Sequence, residues 1–303
     1  MAAEDISMLR ALHPVLEAAD QLYVAVRTKA GPHVTPELLS LAGDRIICLA
    51  AASTVKVKRV QADGIAAFAA LGADGWCSAL ASVEVLDPMD PGAALSTPAL
   101  AAGSPRAVAG FLRSNARELS GAAMDFVRGR LGAMPPHRVL LALTPLAASV
   151  AAGDGGLAHH GWSSVAPRSQ FTQRFSSEGA DPDRKTPSLH DLGPLAELVE
   201  SGPAVLGWLR SDGAPLALPV QWDAQRSRAT LPASMFEACG AAPASPGCVT
   251  FDGWSGLGPS GKQGVMLRGD GAAERDGDAM SVAITTDRAT TWDGIATQTL
   301  PLG

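Results

Sequence analysis

Apolar and polar residues alternate with period two through most of the chain, in short runs closed by glycine-bearing turns, which predicts strands and hairpins. Residues 22–36, LYVAVRTKAGPHVTP, give an apolar run, a basic residue, a polar turn ending in Gly31, and a second extended run closing on Pro36. Residues 204–219, AVLGWLRSDGAPLALP, repeat this with one extra residue, the turn ending in Gly213 and the run on Pro219. Lys-Ala-Gly and Ser-Asp-Gly both supply the residue that tolerates positive φ between two strands. LLSLAGDRIICLAA follows Pro36 and VQWDAQRSRATLPA follows Pro219, each a strand, a polar turn and a strand. Further on, 75–88 parallels 263–277, and 138–156 parallels 281–295, with Asp154-Gly155 matching Asp293-Gly294. Four segments recurring in one order predict an internal duplication.

Each copy carries about six short alternating strands, the pattern of a small antiparallel barrel. The predicted fold is mainly β, a β-barrel with short helices, as two tandem split β-barrels packed as an intrachain pseudo-dimer. Packing two copies together covers the outward faces that a homodimer would otherwise bury. The N-terminal barrel spans 1–155. Ser104 as N-cap, Pro105 at the first helical position and apolar Val108, Phe111 and Leu112 predict a helical insert near 104–131 that the second copy lacks. Residues 156–192, rich in Gly, Ser and Pro, read as a linker, and 193–303 as the C-terminal barrel. LHPVLEAADQ and HDLGPLAELVESGP place a short helix before each barrel.

Composition narrows the function classes. With 303 residues, 47% of them hydrophobic, the chain can bury a full core. A net charge of −6 with no basic tail argues against a nucleic-acid partner. The acidic N-terminus lacks the basic start and unbroken apolar run of a signal peptide, and no stretch is apolar enough to span a bilayer, so the expectation is a cytoplasmic protein without a membrane partner. Cys48, Cys77, Cys239 and Cys248 lack CxxC spacing, which argues against structural zinc. The expected partner is a small-molecule substrate, and the expected state a monomer with pseudo-dimeric halves or a homodimer.

The chain has five lysines, and Lys56 and Lys58 lie beside Arg59 within four residues. Ser53 and Thr54 precede them and can cap a short helix, whose free first-turn amides and adjacent lysine favour an anion such as phosphate. If the segment were a strand, Lys56 and Lys58 would share a face. A solvated surface turn is the plainer alternative. The second copy serves as control: LPASMFEACGAAPASPG keeps Ser234 but has Glu237 and no basic residue. The cluster is therefore not needed to finish a barrel, which points to one phosphate site per chain. Lys262 reads as a turn lysine with a phosphate contact as the alternative, and His137, His159 and His160 as solvated.

The run of Gly31, Pro32, His33 and Pro36, a strand pair, then S-T-x-K-x-K-R at 53–59 and the apolar IAAFAAL resembles the pyridoxamine 5′-phosphate oxidase-like split β-barrels. R-A-T-T-W-D-G at 288–294 looks like that family's closing strand. The resemblance implies an FMN-dependent oxidoreductase, with a deazaflavin coenzyme or haem as alternative cofactors and a non-catalytic ligand-binding protein as the alternative role. It implies that Ser53, Thr54, Lys56 and Lys58 or Arg59 hold the cofactor phosphate. His33, Val34 and Thr35 would run along the ring, and Trp292, Trp208 or Trp254 would wall it from the second copy. The sequence departs from the pattern at Arg59-Val60, where the family has Asn-Leu, and in the second copy, which lacks the phosphate residues. A flavin carries the hydride chemistry itself, so no acid–base pair need stand out.

Overall fold

The computed structural model describes residues 3–42, 45–87, 115, 120, 137–153, 156–166, 189–254, 261–294 and 296–301. The first copy runs α1 (Ala3–Ala18), β1 (Ala19–Thr28), β2 (Gly31–Glu37), β3 (Leu39–Ala42), β4 (Arg45–Ala51), α2 (Val55–Asp63), β5 (Ile65–Gly72), β6 (Gly75–Leu86), β7 (Arg138–Ala152) and β8 (Leu157–His160). The second opens with a 3-10 segment, Leu189–Leu195, and α3 (Ala196–Ser201). It continues through β9 (Ala204–Leu209), β10 (Pro215–Asp223), β11 (Arg228–Pro232), α4 (Ala233–Ala238), β12 (Ala244–Trp254), β13 (Lys262–Asp276), β14 (Ala279–Asp293) and β15 (Ala296–Pro301).

The first sheet has the order β2-β1-β5-β6-β7-β4-β3, and the second β11-β10-β9-β12-β13-β14-β15, closed by pairing of β11 with β14. The two orders coincide once β2 and β3 are taken as one strand broken at Leu38. The β3–β4 pairing then matches that of the end of β10 with β11, and β4 meets β7 as β11 meets β14. Both copies also carry a bulge at the corresponding place. The register of β6 on β7 shifts between Leu80 and Ala81, and that of β13 on β14 between Arg268 and Gly269. A shared bulge is a retained device for bending a sheet, so the duplication extends to backbone detail.

The segment read as the start of the linker instead carries β8, which pairs with β7 as β15 pairs with β14. Leu-Ala-His-His is too short for its alternation to be read against glycine-rich flanks. The helical insert expected near 104–131 lies outside the described residues apart from Asn115 and Ser120, as do 167–188 and Asp154-Gly155.

Strands β1 and β5 are buried on both faces. Leu22, Val24 and Val26 with Ala66, Phe68 and Ala70 fill the first barrel, where Met8, Leu12, Val15 and Leu16 of α1 join them. Tyr23 and Ala25 with Ile65, Ala67 and Ala69 point outward into a core shared with the second barrel. The contacts are reciprocal. β2 packs on β9 and β12, and its counterpart β10 packs on β1 and β5, the counterparts of β9 and β12. This is the self-complementary arrangement of a two-fold interface, here made within one chain.

Approach at the seam is close. A Cβ on Gly207 of β9 would lie 2.5 Å from Val34 Cγ2 and 2.6 Å from Cys248 Sγ. Val34 is rigid and fully buried, so neither neighbour can move aside. Gly207→Ala is expected to lower unfolding free energy by about 1–3 kcal/mol, as overpacking does, in equilibrium denaturation of the full chain.

Candidate functional site

Alternation along β2 separates two roles. Pro32, Val34 and Pro36 are buried, while His33, Thr35 and Glu37 on the other face are half-buried. Val34 belongs to the shared core, and its carbonyl accepts from Thr250 Oγ1 at 3.2 Å. Of the three residues expected along a ring, His33 and Thr35 therefore share a face and the Val34 side chain turns away.

The second barrel supplies the opposite wall. Register sets Cys248, Arg268 and Arg288 in one row across β12, β13 and β14, Thr250, Met266 and Thr290 in the next, and Asp252, Gly264 and Trp292 in a third. Directly paired residues share a sheet face. The face is the seam, because Arg268 Nη2 meets His33 Nδ1, Thr250 meets Val34, and Asp252 accepts from Tyr23 and Gln21 of β1. Trp292 lies over Gly264, whose Cβ would fall 2.0 Å from its ring. Trp208 does not belong to this wall: it is fully buried inside the second barrel against Gly247 and Gly271, its Nε1 donating to Ala242 O at 2.8 Å. A Trp with both ring faces packed serves as core. The side chain of Trp254 lies outside the described residues.

The basic cluster forms the expected helix, α2, and then divides. Thr54 is its N-cap: its Oγ1 accepts from Val57 N and donates to Ala51 O at 2.8 Å. The Lys56 side chain, 4% exposed, reaches β2, where Nζ donates to Thr35 Oγ1 at 2.8 Å and to Glu37 Oε1. Arg59 is carried elsewhere. Its Nε donates to Arg27 O at 2.8 Å and its Nη2 pairs with Asp63 Oδ2 at 2.9 Å. Ser53 and Lys58 are exposed. The structure thus brings Lys56 to the polar face of β2, keeps Thr54 as the cap of α2, leaves Ser53 and Lys58 in solvent and holds Arg59 on Arg27 and Asp63.

Sequence reasoning missed Glu37, Arg138, Arg268, Asp252, Tyr23 and Gln21, and took Lys262 first as a turn residue. Lys262 Nζ crosses the seam to Pro36 O at 2.9 Å. Burial lowers its ammonium to about 8, against the opposing pull of Asp252. Burial, then the charges of Lys262 and Arg138, push Lys56 well below its ordinary value. Burial, then Arg268 and Lys56, take His33 down to about 3, so it is neutral. Burial raises Asp252 and Tyr23, which share a hydrogen bond. Several buried donors find no acceptor among the described residues, including Arg138 Nε, Arg268 Nε and Trp292 Nε1. Such orphans in a native structure call for an explanation, a missing ligand among them.

No protein-family model matches the sequence, and no curated protein matches it. Solved structures do. A NimC/NimA family protein from Clostridium acetobutylicum is similar at 9% identity over 53% of this chain and 98% of its own, with a TM-score of 0.34. A haem-binding protein from Mycobacterium smegmatis is similar at 11% identity over 53% of this chain and 59% of its own, with a TM-score of 0.34. An F420 reductase is similar at 18% identity over 45% of this chain and 94% of its own, with a TM-score of 0.29.

Two outcomes follow from the seam charges. Glu37→Ala leaves Lys56 buried without its counter-ion and is expected to cost about 3 kcal/mol of stability in denaturant titration, while Lys56→Met with Glu37→Leu costs much less. His33 stays neutral in the folded chain down to about 3 but takes up a proton near 6.5 when unfolded. Its contribution is therefore complete above 6.5 and is lost as the pH falls through that window. His33→Gln should remove about 1 kcal/mol or more of the acid-induced loss when stability is measured against pH.

Proposed function

We propose that the chain is a flavin-type oxidoreductase holding one FMN at the seam between its barrels. The phosphate is assigned to Lys56 and the first turn of α2, and the ring to the polar face of β2 at His33 and Thr35, with Trp292 from the second copy. The observation that carries this reading is the excess of donors around β2. Among the described residues Arg138 Nε, Arg268 Nε and Trp292 Nε1 are buried without acceptors, and Lys56 uses two of its three N–H groups. Val55 and Lys56 add first-turn amides, which in a helix have no acceptor of their own. Burial holds Lys56 and Lys262 below their ordinary range, with the charges of Lys262 and Arg138 adding to it for Lys56, and an anion would relieve both.

The group supplies hydride chemistry when bound, and the protein supplies position and exclusion of water. Lys56 and the α2 amides hold the anionic end. Arg268, hydrogen-bonded to His33, would offer donors to a bound ring. Glu37 acts as internal counter-ion, keeping Lys56 tolerable in the buried seam without ligand. A deazaflavin coenzyme has a longer acidic tail and would use the same donors.

FMN titration of the full chain, followed by flavin fluorescence, checks the assignment. Lys56→Ala is expected to weaken binding by about 1.5–3 kcal/mol, the worth of a charge-assisted contact. Unchanged affinity removes Lys56 from the site. The visible spectrum of the purified protein separates the cofactors: two bands for oxidised flavin, one for deazaflavin, a Soret band for haem.

A further inference from the structure

The two-fold relation between the copies assigns a counterpart to the Lys56 site, and a cleft of about 630 Å³ occupies it. Its floor is Pro219 and Val220, the counterparts of Pro36 and Glu37. Its far wall is Leu71 and Trp76, from the β5–β6 hairpin, which corresponds to the β12–β13 hairpin that carries Lys262. Asp276 and Asp278 stand at its rim on the β13–β14 turn. The volume is that of a small-molecule pocket.

Chemistry at this place is inverted relative to the first site. Where Glu37 pairs with Lys56, the second copy has Val220, and α4 carries no lysine. Where Lys262 of the β12–β13 hairpin reaches over Pro36, the β5–β6 hairpin brings Trp76 into the cleft that Pro219 also lines. No basic residue lines the cleft, and neither rim carboxylate pairs with a cation among the described residues. An apolar floor and a half-buried indole favour a flat ring, since stacking on an aromatic face rewards planarity. A cation over an indole gains further attraction, and the two carboxylates add to it while repelling anions.

We propose that this cleft binds a planar, positively charged heteroaromatic compound of the protonated aromatic-amine class, at a site separate from the seam anion site. Small size and planarity suit a cleft lined by Trp76 and Val220, and positive charge suits the rim. The proposal does not depend on flavin binding, because its residues and its ligand charge differ.

Proflavine, a planar cation, and 1-anilinonaphthalene-8-sulfonate, an anion, serve as probes in fluorescence titrations of the full chain. Proflavine should saturate a single site about ten-fold or more tighter than the anion at low salt, the preference narrowing as salt screens the rim. Trp76→Ala and Thr230→Trp, the second filling the cleft from an exposed lining position, should each weaken proflavine about ten-fold, and Lys56→Ala should not change it. Circular dichroism establishes that each variant is folded, and Thr230→Trp decides the matter if Trp76→Ala is not. Absence of saturable proflavine binding, equal affinity for the anion, retention of binding in the folded cleft variants, or its loss in Lys56→Ala overturns the proposal. Failure of FMN to bind leaves it standing.

Discussion

Strands β1 and β5 carry apolar side chains on both faces, and neither face tolerates water. One face fills the first barrel; the other must be covered from outside. The second barrel provides that cover, and in return its β10 is covered by β1 and β5. Each fully buried aliphatic or aromatic side chain is worth about 1.5–3 kcal/mol, so the outward row from Tyr23 to Ile65 binds the halves far more strongly than any single polar contact. The seam is first an apolar interface, and its polar residues are arranged within that constraint.

Buried charge in such a place needs partners close at hand. Lys56 has Glu37 and Thr35, Lys262 has the Pro36 carbonyl, and Asp252 has Tyr23 and Gln21. The Lys56 contacts lie within the first barrel, whereas those of Lys262 and Asp252 run between the barrels and exist only while the seam is closed. The polar face of β2 is lined by donors from both copies, Lys56 of the first on Thr35 and Glu37 and Arg268 of the second on His33.

Much of this could be read from the chain. Gly31 and Gly213 mark the two hairpins, both with positive φ, and the order of the repeated segments predicts paired barrels. The helix at Val55–Asp63 and its Thr54 cap were legible from local chemistry, whereas the Arg59–Asp63 pair at i and i+4, which withdraws Arg59 from the cluster, runs against the expectation that Arg59 joins the phosphate contacts. The counter-ion was less visible because Glu37 is 19 residues from Lys56 and reaches it only when β2 lies beside α2. A signal existed all the same: Glu37 and Lys56 are both present in the first copy, and both are lost together in the second, where Val220 stands. Arg138 and Arg268 left no such trace, since strand position alone does not say which face of a barrel meets a partner.

Joining the two copies in one polypeptide has a consequence for how they can change. In a homodimer every substitution is made twice, at both symmetry-related positions, so a lysine gained at one place is gained at both. A covalent tandem is released from that obligation. One half can keep Lys56 and Glu37 while the other carries Val220 and no lysine on α4, without either change being forced on its twin. The single-residue break at Leu38, which the second copy lacks, is the same freedom exercised on the backbone.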